Sequence, residues 1–215
     1  MEIRLVDNGY LSTALDGADL GLLAALLTTA LPDPIRVRTT IEHSSHDRSC
    51  LNAWEGRYGM WQTFIRTEDR LEVGYDGFFL PDTLRNQGIA LETLRQSLIA
   101  YDILQVDAVQ FEAVDDGAYT WAYWGGIVRD PAPLREGLSS APVMSSLSER
   151  ERNLLERVLN DTSDDLLMYD LARLKTESDA RLGRRLLTNR RWIGFVDLND
   201  AEQRARIAGA LSERT

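Results

Sequence analysis

Two β-rich runs, YGMWQTFIR (58–66) and RLEVGYDGFFL (70–80), are separated by only Thr67, Glu68 and Asp69. A connector that short cannot carry a crossover, so the two runs predict an antiparallel hairpin. EIRLV (2–6) reads as a further strand. IRVRTTIE (35–42) alternates apolar and polar residues and reads as another. Between them DGADLGLLAALLTTALP reads as a helix, with Asp16 or Asp19 as its N-cap and Pro32 and Pro34 as its stop. HSSHDRSCLNAWEGR (43–57) has turn composition and reads as a loop.

After the hairpin the apolar positions Ile89, Leu91, Leu94, Leu98 and Ile99 recur at helical spacing. VDAVQFEAV (106–114) reads as a buried strand, and DDGAYTWAYWGG (115–126) as a short aromatic helix ending at Gly125–Gly126. IVRD is a short strand closed by Pro131 and Pro133. Residues 148–188 look wholly helical, with a break at Asp161–Asp165. RWIGFVDL (191–198) is a last strand and DAEQRARIAGAL a last helix. A doubly wound nucleotide-binding fold would alternate strand and helix strictly, and this order does not. The expectation is a mixed α+β fold: one domain over 1–215, a twisted mixed sheet flanked by helices, with residues 134–189 as a helical insert.

Composition narrows the function. The hydrophobic fraction of 44% suffices for a real core. No apolar run reaches the ~18 residues of a membrane span, and MEIRLV lacks the pattern of a signal peptide. With Cys50 the single cysteine, an intramolecular disulfide is impossible and a reducing, cytoplasmic setting is expected. Delivery to another cell by a route without a signal peptide stays open. The net charge of −10 argues against nucleic acid as a partner. Residues 1–144 hold 21 acidic and 11 basic residues, against 13 of each in 145–215. An acidic front half suits a cationic partner, or simply keeps a surface solvated. Of the 24 basic residues only Lys175 is lysine. Codon bias accounts for that count, and so would avoidance of lysine by a lysine-modifying or delivered protein.

The chemistry concentrates in FFLPDTLRNQGIALETL (78–94), a strand that opens through a glycine-containing turn into a helix. Backbone N–H groups at such a helix start, with the positive end of its dipole, suit a pyrophosphate. Gly88 lets backbone approach a ligand, and Arg85 adds positive charge.

This segment resembles the acyl-coenzyme-A-binding part of the GNAT N-acyltransferases. Pro81-Asp82 looks like the family's Pro-acid pair, and Arg85-Asn86-Gln87-Gly88-Ile89-Ala90 like its R-x-x-G-x-G/A turn. The strand at 106–114 and the helix ending in W-A-Y-W-G-G follow in the family's order, so the likeness spans roughly residues 58–128. It implies that strand 71–80, with Phe79 and Leu80 at its end, lies along the pantetheine arm of acetyl-coenzyme A or another acyl-coenzyme A. The turn Arg85–Ala90 would hold the pyrophosphate. The sequence departs from the pattern in an extra residue between Pro81 and Arg85, and in Asn86 where the family has a glycine. Trp121 falls where a tyrosine often serves as general acid. Tyr119 and Tyr123 are the nearest hydroxyls. Glu72, Asp76 and Glu112 on strands, and Asp115 and Asp116 at a strand end, are carboxylates that could act as general base.

The resemblance thus implies direct acyl transfer to an amine, on a small molecule or a protein, with no metal and no covalent intermediate. A homodimer is compatible with it. The alternative is a GNAT-like scaffold without catalysis, a binding module of the kind found in bacterial effectors. Two weaker signals remain. His43, His46, Asp47 and Cys50 could supply metal ligands or form an ordinary polar loop. Arg181, Arg184, Arg185, Arg190 and Arg191 could hold a phosphate or an acidic partner, or form a solvated face.

Overall fold

The computed structural model describes residues 4–6, 15, 18–36, 39–45, 47–85 and 87–213. Two compact units divide the chain between Gln110 and Phe111. Strands pair both parallel and antiparallel and are accompanied by helices, so the fold is a mixed sheet flanked by helices.

In the N-terminal unit, β1 (Arg4–Val6) pairs parallel with β2 (Thr39–Ser45), Leu5 opposite Ile41. The connection carries α1 (Leu20–Thr28) and a helical turn, α2 (Asp33–Arg36). Asp19 is the N-cap of α1: its carboxylate accepts from the Leu22 N–H at 3.0 Å. Pro34 does not stop a helix here. It is the second residue of α2, where its fixed φ suits a first turn, so the strand expected from residue 35 begins instead at Thr39.

The stretch 43–57, expected as a loop, is mostly strand. β2 runs to Ser45 and β3 (Arg48–Glu55) returns antiparallel to it, with Ile41 opposite Leu51. Ser49, Leu51 and Ala53 alternate inward and are fully buried. Pairing on both sides completes β3, since β4 (Tyr58–Arg66) lies antiparallel to it across the two-residue link Gly56-Arg57. β5 (Leu71–Phe79) completes the expected hairpin with β4, Phe64 opposite Val73. The strands run β1-β2-β3-β4-β5, followed by β6 (Ala108–Ala113), which begins in this unit. A 3-10 turn (Asp82–Leu84) leads from β5 into α3 (Ile89–Leu104), which packs against α1. Leu27, Ile41, Leu51, Met60, Phe64 and Val73 have no exposed surface. Burial of each such side chain stabilises by about 1.5–3 kcal/mol.

In the C-terminal unit, β8 (Trp192–Asp197) follows β6 in the sheet and pairs on its other side with β7 (Ile127–Val128). β7 and β8 are antiparallel, Ile127 opposite Phe195. α4 (Asp115–Tyr123) ends as expected near Gly125–Gly126: the Gly126 N–H donates to the Trp121 carbonyl at 2.9 Å. Between β7 and β8 run α5 (Ala132–Leu138), α6 (Ala141–Ser145), α7 (Glu149–Asp161), α8 (Asp164–Ala172) and α9 (Leu182–Leu187).

A capping box of Ser148 and Glu151 starts α7. The break expected at Asp161–Asp165 separates α7 from α8, and Arg135 spans it. Its guanidinium donates to the Leu159 carbonyl, to the Thr162 carbonyl at 3.0 Å and to the Asp164 carboxylate at 2.8 Å. Residues 173–181 form a second, unexpected break. There the Asp179 N–H bonds to the Thr176 hydroxyl at 2.9 Å, a local alternative to the helical ladder. α10 (Ala201–Ser212) is capped by the Asp200 carboxylate.

Candidate functional site

The turn from β5 into α3 has the geometry of an open helix start. Gly88 is the N-cap of α3 at φ 79°, a left-handed conformation that L side chains adopt at a cost. A Cβ at Gly88 would meet no atom within 4 Å, so the space above the turn is open. The first helical bond runs from the Glu92 N–H to the Gly88 carbonyl. The N–H groups of Ile89, Ala90 and Leu91 therefore precede any intrahelical acceptor. These residues are half-buried, which leaves that helix end accessible.

The other sequence-predicted residues of this turn serve mainly the turn itself. The exposed Arg85 donates to the Leu80 carbonyl at 3.4 Å and lies 3.3 Å from the Asp82 carboxylate. The Gln87 amide donates to the Thr83 carbonyl at 2.7 Å. Leu80 is buried, whereas Phe79 is 49% exposed and meets Trp61 edge-on at 5.9 Å. Asn86 lies outside the described residues. Glu92, in the first turn of α3, has its carboxyl held below the ordinary range by the Gln96 amide and by Arg95.

β5 carries one irregularity. Trp61 stands opposite Gly77 and Gln62 opposite Tyr75, so Asp76 is an extra residue in the ladder. Such a bulge interrupts pairing and redirects side chains. Asp76 accepts from the Thr63 hydroxyl at 2.5 Å, and Thr63 lies 3.5 Å from the Cys50 sulfur. Glu72, nearer the start of β5, accepts from the Gln110 amide at 3.4 Å.

The C-terminal unit holds the remaining candidates. Glu112 is ion-paired with Arg191. The Tyr119 and Tyr123 rings are neighbours, with centroids 5.7 Å apart. The Tyr123 hydroxyl donates to the Glu213 carboxylate, and the Arg173 guanidinium lies 4.3 Å above its ring. Trp121 is buried against Phe111 with its ring stacked at 4.0 Å, and Trp192 meets Phe111 edge-on at 5.2 Å. Trp121 is thus a core residue. Asp116 pairs with Arg184 at 3.2 Å, and Asp115 starts α4 at φ 50°.

Sequence reading missed a row of buried polar groups in the N-terminal unit. Thr93, Ser97 and Tyr101 stand at successive four-residue steps along α3 and are fully buried, as is Gln62 of β4. The hydroxyls of all three, and the Gln62 side-chain oxygen, lack a hydrogen-bond partner. Burial pushes the Tyr101 hydroxyl well above its ordinary pKa and raises that of Tyr75. Both phenols stay protonated at neutral pH. The four-residue spacing was the available signal, although it lay within an otherwise apolar stripe.

The His43 side chain and His46 lie outside the description. Among the described residues no cluster of His, Cys, Asp or Glu could hold a metal ion. No helix among them is long and apolar enough to cross a membrane. Comparison of the chain with protein-family models, with curated proteins and with solved structures finds no match.

Proposed function

We propose that the chain is a GNAT-like N-acyltransferase that moves an acetyl or other acyl group from acyl-coenzyme A to an amine. The observation that carries this reading is the start of α3, where an exposed left-handed Gly88 with open space above it precedes three N–H donors. That arrangement suits a pyrophosphate. The bulge at Asp76 supports it further, since an interrupted strand has backbone groups to offer an extended, amide-bearing arm.

In this mechanism β5 and the turn through Ala90 bind and orient the thioester. An amine deprotonated by a carboxylate attacks the thioester carbonyl directly, and the thiolate leaves. Asp76 and Glu72 are the carboxylates of the N-terminal unit suited to accept that proton, each with one neutral hydrogen-bond donor. Glu112 is the less suited base, because its carboxylate is engaged by Arg191. The acceptor is a small molecule or a protein carrying a cationic amine, in keeping with the acidic front half of the sequence. Action in the cytoplasm, or after delivery as a bacterial effector, follows from the same reading. A single thiol suits a reducing setting.

One observation favours a second reading, that of a GNAT-like scaffold without catalysis. Trp121 is a core residue, and the Tyr123 hydroxyl already donates to Glu213. Neither supplies a free acid for a departing thiolate. Thermal unfolding with acetyl-coenzyme A separates these readings from their failure. Ligand at about 100 times its dissociation constant adds about 2.7 kcal/mol, a rise of about 5–10 °C for a chain of this size. A shift with turnover of an amine supports the enzyme, and a shift without turnover supports the scaffold. No shift at millimolar ligand overturns the acyltransferase and leaves a binding module that has lost the cofactor.

A further inference from the structure

The arginine cluster after α8 resolves into paired and unpaired members. Arg184 faces Asp116 at 3.2 Å, and Arg191 faces Glu112. Arg185 faces Glu151 at 2.7 Å and Asp179 at 2.9 Å. Arg190 is different: it is half-buried, its Nε donates to the Leu186 carbonyl at 3.3 Å, and no carboxylate faces it among the described residues. A half-buried guanidinium with donors to spare is costly unless an acceptor reaches it.

Arg190 lines a cavity of about 290 Å³ within the C-terminal unit. Val143 and Leu186 give it an apolar wall, and Ser146, Thr188 and Asn189 a polar one. The Thr188 hydroxyl is buried and without a partner. The Ser146 hydroxyl proton is already given to the Val143 carbonyl at 2.7 Å. The donors left over are therefore the Arg190 guanidinium, the buried Thr188 hydroxyl and the Asn189 amide.

We propose that this cavity binds a small organic monocarboxylate, with its carboxylate on Arg190 and Thr188 and its aliphatic body against Val143 and Leu186. The planar guanidinium matches a carboxylate with two parallel hydrogen bonds. One negative charge is favoured over two because a single unpaired arginine supplies the positive charge. Arg185, on the same cavity, brings two carboxylates for its one charge. Hydrogen bonds from Ser148 to Glu151, and from the Arg181 N–H to Asp179, keep both of those ionised. A phosphate dianion would meet their repulsion.

The test is calorimetric titration and thermal unfolding with butyrate, against phosphate and chloride at equal ionic strength. Butyrate should raise the Tm where chloride does not, and bind in the millimolar range or tighter. Arg190→Gln should weaken binding at least tenfold, and Thr188→Val several-fold. Val143→Trp, at a half-buried position, should fill the cavity and abolish binding while Arg190 remains, which keeps the test valid if Arg190→Gln does not fold. Phosphate binding as tightly as butyrate would overturn the ligand class. Wild-type affinity in Val143→Trp, or no butyrate effect up to 100 mM, which is about 100 times a millimolar dissociation constant, would overturn the site.

Discussion

Trp121 lies face to face on Phe111, with ring centroids 4.0 Å apart and planes 6° from parallel. A buried stack of this kind fixes the end of α4 against β6 within the C-terminal unit. The residue at the position of the expected general acid is therefore a packing element. Trp121→Ala should cost about 3–5 kcal/mol, the range for deleting a large buried aromatic, read as a fall in the denaturation midpoint. Trp121→Phe should retain most of the stability and leave any acyl transfer rate unchanged, because an indole donates no proton at working pH.

Gly88 separates backbone strain from ligand binding. Gly88→Asn should cost about 1 kcal/mol or less, since asparagine tolerates the left-handed region. Gly88→Glu places a carboxylate in the open space above the turn and should abolish the stabilisation by acetyl-coenzyme A. Equal shifts in the two variants would show that the start of α3 is not where the cofactor's phosphates lie.

Gly183 is required for a different reason. A Cβ there would stand 2.3 Å from the Leu171 carbonyl oxygen and 2.5 Å from that of Ala172. Those are backbone atoms of α8 and cannot swing aside. Gly183→Ala should destabilise by about 3 kcal/mol, the upper part of the overpacking range, measured by chemical denaturation.

Glu151 should impose an acid limb on stability. Its carboxyl is held below the ordinary range, first by the Ser148 N–H and hydroxyl and then by the Arg185 charge. A depressed folded-state pKa contributes stability that is present above the ordinary carboxylate range and is lost as the pH falls through it. Glu151→Gln should lower the Tm at neutral pH and flatten its decline below about pH 5. Parallel Tm–pH curves for the two proteins would contradict the assignment.

Tyr101 makes the opposite kind of prediction. Its hydroxyl is buried without a hydrogen-bond partner, so Tyr101→Phe removes an unmet polar group. The change should be neutral or stabilising. A loss of more than about 1 kcal/mol, the worth of a typical hydrogen bond, would reveal a partner such as a bound water.

The β4–β5 hairpin, α3, β6, α4 and β8 were legible in the sequence, because a short connector and apolar periodicity act over neighbouring residues. β3 was not legible. Its Ser49 and Asn52 share the turn composition of 43–57, and only pairing with β2 and β4 makes them strand. The second break, at 173–181, escaped notice because a local Thr176–Asp179 bond competes with a helix that composition alone would favour.

The candidate site divides the same way. The glycine turn before α3 is a local feature, so its residues could be named in advance. The partners of Glu112, Tyr123 and Arg185 lie tens of residues away or more, at Arg191, Glu213 and Glu151. Which charges are paired and which guanidinium is left over is a matter of distances of a few ångströms. Sequence order places no bound on such distances, and only the packed chain sets them. The sequence by itself determined the elements and the glycine turn, since these depend on near neighbours. Tertiary structure alone decided that Trp121 is core, that Glu112 is engaged and that Arg190 is free of any described carboxylate.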